Sequence, residues 1–406
     1  MRHAPPDRAN GTPAAPARGR VALMHDFLVD VRGAERVFAA MCDLFPDADV
    51  YTGVYGRAGT QGRFAHRRVR STYLQWLRPN ARTFRALLPL YPRAVEALDV
   101  RGYDLVVSSS SAWAHGVRVH PEAVHVCYCH NTFRYAWDER EATLRARNPA
   151  TRAALAQVLE RWRSWDRAAA QRVDRYVANA EVTRERIARC FGREAQVVHP
   201  PVEIGRFAPG PVGDSYVTLS ELMRHKRLDV AVRAFTRLGL PLTVVGDGPD
   251  ARRLQRMAGP NVRFTGRLSD EQVADTLSRA RALVVPGVEE FGIAAVEAQA
   301  AGRPVIGVRA GGLLETVIEG VTGTLFEPSD PDALAEAVLG FDALAVDPAE
   351  CVANAQRFSP ERFASGLLGV VDDALAARAA GRATGARAGA GEPRPTPIPA
   401  PLRQAC

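Results

Sequence analysis

Two carboxylates stand where their spacing allows a specific chemistry. In VVPGVEEFGIAAVEAQAAGRPVIGVRAGGLLETV, residues 284–317, an apolar run leads into a loop carrying Glu289 and Glu290, and a helical pattern starts at Gly292. Ile293, Val296 and Ala300 repeat as one buried helix face, and Gly302 with Pro304 ends it. The start of such a helix offers free N–H groups and the positive end of the dipole to an anion. Glu289 lies just ahead of it, and Glu297 lies about 80° round the axis if the stretch between were all helical. Carboxylates bracketing an anion site suit a ligand with phosphates at its centre and hydroxyls at both ends, the layout of a nucleotide-sugar. A glutamate pair in a surface loop also arises by accident, so other features must decide. VVGDGP (244–249) runs a strand into a turn at Gly246, and AGG (310–312) follows PVIGV, giving two places where backbone can approach a ribose or phosphate. The Gly-x-Gly-x-x-Gly dinucleotide fingerprint is absent, which argues against an NAD enzyme.

Lys226, in LSELMRHKRLDV, is the only lysine in a chain with 53 Lys and Arg residues. An ammonium is a compact point charge and a guanidinium a broad planar fork, so the two differ where space is tight. One lysine surviving by chance is the plainer reading. Lys226 follows a strand and faces the predicted cleft, so its neighbourhood must decide.

The elements that must position these groups follow from composition and pattern. A chain of 406 residues, 47% hydrophobic and 24% charged, reads as soluble and as roughly two domains. No uncharged apolar run reaches the ~18 residues of a membrane span, and the first twenty residues lack the apolar core of a secretory signal, so the expected compartment is the cytoplasm. Six scattered cysteines are not a disulfide framework, and Cys127 and Cys129 in CYCH read as buried strand residues, since the motif has no second half for a zinc site.

From residue 20, β-branched runs alternate with helical patterns. RVALMHDF (20–27), YDLVVSSS (103–110), AVHVCYCH (123–130), RYVANA and AQVVHPPV read as strands of a first domain. GAERVFAAMCDLF reads as its first helix, with Val37, Ala40 and Met41 on one face, and 150–171 as a long arginine-rich helix. The proline- and glycine-rich stretch 199–214 reads as a linker. SYVTLS, LTVVGDGP, VRFTG, RALVVPG, PVIGV and GTLFEP then supply a second series. The fold class is α/β: two Rossmann-like domains facing across a cleft, with ligands beyond the carboxyl ends of the strands. The expected division is a disordered 1–19, a first domain over 20–200, a second over 201–358, a helix over 359–378 crossing back to the first, and a disordered tail over 379–406.

From Arg57 to Arg93 there are nine arginines and no Asp or Glu, interleaved with Trp76, Leu77, Phe84, Leu87 and Leu88. Such a stretch can be a solvated face, a nucleic-acid surface or a dock for an anionic membrane. No nucleic-acid signature accompanies it, which favours the membrane.

EEFGIAAVEAQAAGRPVI resembles the Glu-x7-Glu signature of retaining glycosyltransferases of family GT4, whose fold is GT-B. ALMHDFLVDVRGAERVF, YDLVVSSSSAWAHGV, CYCHNTFRYAWD, VDRYVANAEVTRERI, VVHPPVEIGRF and HKRLDVAVRAF resemble that family in the expected order, from about residue 20 to 375. The likeness is greatest to a mannosyltransferase-like subgroup that builds surface polysaccharides. It implies a hexose, mannose as the best guess, moved from a nucleotide-diphosphate sugar to a lipid-linked or polysaccharide acceptor. Glu289 would hold donor-sugar hydroxyls beside the backbone of Phe291 and Gly292. Glu297 would accept from the ribose, Lys226 would neutralise the diphosphate, His130 would line the reaction centre, and Gly33 would let backbone approach the phosphate from the first domain. No Asp-x-Asp motif is near, so no metal is expected, and no nucleic acid is expected as partner.

Two positions depart from the family pattern. Glu221 stands where the family usually has an arginine that shares the diphosphate with the lysine, and a carboxylate there would oppose the donor by a few kcal/mol unless turned away. Arg224 or Arg227 would have to reach in. Ser111 stands where some relatives carry a histidine. Glu221 motivates one alternative, a nucleotide-sugar-binding scaffold without turnover; a second, a nucleotide-sugar epimerase on the same fold, would need catalytic carboxylates that the sequence does not place.

Overall fold

The computed structural model describes residues 18–80, 83–145, 147–341 and 346–389. The sequence readings for 1–17 and 390–406 lie outside the described residues. Two all-parallel sheets form. The first contains β1 Val21–His25, β2 Asp49–Thr52, β3 Val69–Ser71, β4 Leu105–Ser110, β5 Val124–Cys129, β6 Arg175–Ala178 and β7 Ala195–Val197, in the order β3-β2-β1-β4-β5-β6-β7. The second contains β8 Tyr216–Leu219, β9 Leu242–Val245, β10 Val262–Gly266, β11 Leu283–Val285, β12 Val305–Val308 and β13 Gly323–Phe326, in the order β10-β9-β8-β11-β12-β13. Central strands such as β4 and β5 are buried along their whole length, as a parallel sheet covered on both faces requires. Each sheet reverses its strand order once, between β1 and β4 and between β8 and β11, and the loops leaving those strands open onto the space between the sheets.

Sequence reading named no strand at β2 or β3. DVYT and VRS are four and three residues long, and β3 sits within the arginine-rich stretch, so neither shows a run that periodicity can detect. The Gly33–Leu44 helix buries Val37, Phe38, Ala39, Met41 and Cys42. Ala40, read as a core position, is only half-buried because the helix is rotated to lay Phe38 and Cys42 on the sheet. The five described cysteines are free and buried.

The chain passes between the domains twice, at residues 199–214 and near Phe358, and Val202 N–H donates to Phe358 O at 2.9 Å, tying the crossings together. The last helix spans Pro360–Gly389, beyond the 378 boundary read from sequence, because the alanine-rich run after it keeps a high helix propensity. Its Phe363, Leu367, Val370, Val371 and Ala374 pack with Val37, Phe38, Met41 and Tyr128 of the first domain.

Candidate functional site

A cleft of about 1570 Å³ lies between the domains. Gly33, His130, Lys226, Gly246, Glu289, Phe291 and Gly292 all line it, as do Ser111 and Glu221. The convergence follows from topology. His130 directly follows β5, Gly246 directly follows β9, Lys226 lies in the turn after β8, and Glu289 to Gly292 follow β11 into the Ile293–Ala300 helix. Residues separated by more than a hundred positions therefore meet at the carboxyl ends of two sheets.

The Lys226 ammonium is paired with the Glu289 carboxylate. Burial alone would lower the lysine's pKa, but Glu289 and Glu290 outweigh it and hold it above the ordinary value, so the group is a fixed cation. Its backbone is pressed against the Glu289 loop: a Cβ at Gly287 would lie 2.4 Å from Lys226 O, so only glycine lets the two segments meet. Gly246, at φ +132°, has its Cβ direction filled by Ser220 O at 1.9 Å. Its close approach is to the protein's own chain and not to an open ligand position. Sequence reading passed over Gly287, for which the only signal was its place between β11 and the glutamates.

Glu290 is bound from the first domain. Asn131 Nδ2 donates to its Oε1 at 2.7 Å and Arg134 Nη2 at 3.1 Å, with Arg186 Nη1 at 3.6 Å. Burial would raise the Glu290 pKa, and Arg134, Lys226 and Arg186 reverse this and hold it below the usual carboxylate value. Glu297 is not on the cleft wall. It is 8% exposed and lies behind Arg36 of the first domain, whose Nη1 is 3.7 Å from Oε1. Burial pushes its pKa up to about 7, opposed by Arg36 and Arg206 and assisted by Asp270 and Glu203.

Glu221 is paired with Arg32, which sits beside Gly33 and also lines the cleft. The carboxylate is thereby neutralised from the opposite domain. Arg224 and Arg227 do not take that role: Arg224 has an 84% exposed side chain reaching towards Asp250, and Arg227 donates to Ser329 O. Neither lines the cleft. Arg32 was missed in the sequence because it is one arginine among many; its only mark was adjacency to Gly33.

The first-domain floor is built by Asp26, which accepts N–H bonds from Ser111, Ala112, Trp113 and Ala114 and so locks the loop after β4. His130 is buried, its Nε2 2.7 Å from Ser109 Oγ, and burial together with neighbouring His25 lowers its pKa to about 3. It is neutral at any working pH. Among the described residues no cluster of three or more His, Cys, Asp or Glu could hold a metal, and no helix is long and apolar enough to cross a membrane.

Comparison with known proteins agrees with this architecture. Residues 31–206 match the family model for Glycosyltransferase Family 4, and residues 214–357 the model for Glycosyl transferases group 1. The chain belongs to the family 4 glycosyltransferases, with the GT-B fold. It is 35% identical to a GDP-mannose-dependent alpha-(1-6)-phosphatidylinositol monomannoside mannosyltransferase of Mycolicibacterium smegmatis, over 38% of this chain and 50% of that one. It is 33% identical to a D-inositol 3-phosphate glycosyltransferase of Streptomyces avermitilis, over 43% of this chain and 45% of that one. The chain thus spans about half the length of these curated relatives. Among solved structures, Anabaena HepE in complex with UDP superimposes with a TM-score of 0.66 at 17% identity, covering 87% of this chain and 100% of that one. Sucrose-phosphate synthase of Thermosynechococcus elongatus does so with 0.66 at 21%, covering 89% and 100%. At those identities the likeness speaks for the fold.

Proposed function

We propose that the chain is a retaining hexosyltransferase that moves a hexose, mannose as first choice, from a nucleotide-diphosphate sugar to a lipid-linked or polysaccharide acceptor. The observation that carries this reading is the Lys226–Glu289 pair on the cleft wall beside the start of the Ile293–Ala300 helix. A half-buried cation and a helix N-terminus form a preorganised positive field for a departing diphosphate, and such fields are usually the largest single contribution to catalysis. The carboxylate beside them suits the donor sugar's hydroxyls. In this reading Lys226 moves from Glu289 to the diphosphate when donor arrives, which frees Glu289 for the sugar. His130 faces the acceptor, Gly33 and the backbone of Phe291 and Gly292 flank the donor, and Glu297 reaches the ribose once Arg36 swings aside. The account uses no metal. Mannose is supported by the GDP-mannose-dependent relatives.

The acceptor side suggests a membrane. Trp76 is 86% exposed and Leu77 62%, on a single-turn helix, Tyr73–Leu77, that packs against Tyr91–Glu96. Arg57, Arg68, Arg78 and Arg93 in the same stretch of sequence are exposed, and no ion pair of theirs occurs among the described residues. Exposed aromatic and aliphatic groups set among unpaired arginines fit an anionic lipid surface. Thr60, Gln61 and Arg63 carry this region to the cleft edge. The scaffold alternative rested on Glu221, and the pairing of that carboxylate with Arg32 supports the transferase reading. The test is transfer of labelled hexose from GDP-, UDP- and ADP-sugars into lipid and polysaccharide acceptors, with the anomeric configuration of the product read by NMR. Retained configuration on one acceptor class supports the proposal. Conversion of donor with no acceptor points to an epimerase, and binding with no product to a scaffold.

A further inference from the structure

β4 ends in three buried serines, and each meets a histidine: Ser108 with His125 at 2.8 Å, Ser109 with His130 at 2.7 Å, and Ser110 with His115 at 3.4 Å. Ser109 differs from the other two because its Oγ is also 2.9 Å from His25 Nδ1. His25 ends β1, lies flat against Phe38 with ring centroids 4.7 Å apart, and places Nε2 3.6 Å from Glu35 Oε1. Glu35 is held in turn, since its Oε2 accepts from Arg32 N–H at 2.9 Å. Glu35, His25, Ser109 and His130 therefore stand in one line from the first turn of the Gly33–Leu44 helix to the cleft wall.

A hydroxyl has one proton, so Ser109 donates to one ring and accepts from the other. The Glu35 carboxylate is 3.6 Å from His25 Nε2, beyond a hydrogen bond, and its negative charge favours the tautomer that carries the proton on Nε2. His25 Nδ1 is then bare and takes the Ser109 proton. Ser109 oxygen accepts in turn from His130 Nε2–H. That leaves His130 Nδ1, which has no hydrogen-bond partner among the described residues, unprotonated on a residue that lines the cleft.

We propose that Glu35, His25 and Ser109 are positioning residues that fix the tautomer of His130, so that it presents a bare Nδ1 to the acceptor hydroxyl. The inference rests on the reading of His130 as an acceptor-side group. Nδ1 accepts a hydrogen bond and aims the hydroxyl oxygen. As the new bond to the sugar forms and the sugar–diphosphate bond breaks, the hydroxyl turns its O–H from Nδ1 to the departing diphosphate, which takes the proton. Were the chain to run the other way, with Ser109 donating to His130, Nδ1 would carry a proton and repel the same hydroxyl hydrogen.

The ¹⁵N resonances of the His130 ring in the full-length protein, assigned with His130→Gln, test this without recourse to activity. The expected result is the Nε2–H tautomer in the wild type and a mixture of both in Ser109→Ala. Once a donor and acceptor are found, Ser109→Ala lowers kcat about tenfold, equivalent to about 1.4 kcal/mol, with donor KM unchanged. An Nδ1–H tautomer in the wild type overturns the proposal, whether or not the Ser109 variant folds. So does a folded Ser109→Ala with an unchanged tautomer. If the tautomer is as expected but no sugar is transferred, the relay stands and the functional reading fails.

Discussion

Lys226 and Glu289, 63 residues apart in sequence, are ion-paired with side chains only 17% and 20% exposed. A pair this sheltered would be a poor source of stability for its own sake, since desolvation offsets most of the attraction. In the proposed function it is a site at rest: each charge compensates the other until a diphosphate and a sugar would replace them. This exchange is the centre of the account.

It makes replacement by arginine costly. Lys226→Arg keeps the charge but brings a planar fork into a space where Gly287 already packs on the lysine backbone. The expected outcome is donor affinity at least fivefold weaker than wild type, about 1 kcal/mol, with the fold intact by thermal melting.

Donor binding should depend on pH through Glu297. With its pKa raised to about 7, the free protein holds a neutral carboxyl below that pH and an anion above it. An anion accepts more strongly from a ribose diol, so affinity measured by calorimetry rises as pH passes upward through about 7. Glu297→Gln binds more weakly above that pH and shows a flat profile. The stability linkage has the opposite sign. The folded chain binds this proton more tightly than the unfolded chain, so the contribution is complete below the ordinary value of 4.5 and lost as pH rises through about 7.

Arg32 and Glu221 should be coupled. Arg32→Ala leaves a carboxylate facing the diphosphate and weakens donor binding by about 1–2 kcal/mol, whereas the double variant Arg32→Ala with Glu221→Gln recovers part of the loss. Equal losses in the single and double variants would show that Glu221 never faces the donor.

The exposed Trp76 and Leu77 predict a salt-sensitive lipid affinity. Cosedimentation with vesicles containing phosphatidylglycerol should fall between about 0.1 and 0.5 M salt, and Trp76→Ala with Leu77→Ala should abolish it while soluble-donor binding is unchanged. Binding equally to neutral vesicles would remove the role of the arginines.

The last helix predicts a stability effect far from the cleft. Leu367 is fully buried against the first domain, so Leu367→Ala should cost about 2–5 kcal/mol in denaturant unfolding. A loss below about 1 kcal/mol would mean that the helix is only loosely docked.

Much of this molecule was legible in its sequence, for identifiable reasons. The apolar runs that became β1, β4, β5 and β8 to β13 are short, β-branched and ended by polar residues, which is the pattern of a parallel sheet buried on both faces. β2 and β3 escaped because a three- or four-residue strand carrying Asp49 or Arg70 has no apolar run. Gly33, His130 and Phe291 came only from the family resemblance, whereas Lys226, Glu289 and Gly292 could be picked out from their own stretches, because they follow strand ends and strand ends meet at the cleft. Arg32, Asn131, Arg134 and Gly287 could not. Their roles come from contacts across the interface or from a close backbone approach, and neither leaves a trace in local sequence. Glu297 shows the converse limit. Its spacing from Glu289 was visible, but not that Arg36 of the other domain covers it.

The most direct test of the central claim is calorimetric titration of the protein and of Lys226→Ala with GDP-, UDP- and ADP-sugars. The account predicts that one donor binds and that the variant loses at least about 1.5 kcal/mol, the worth of a charge-assisted contact to phosphate. Unchanged affinity in Lys226→Ala, or no binding by any donor, would contradict a diphosphate site at Lys226.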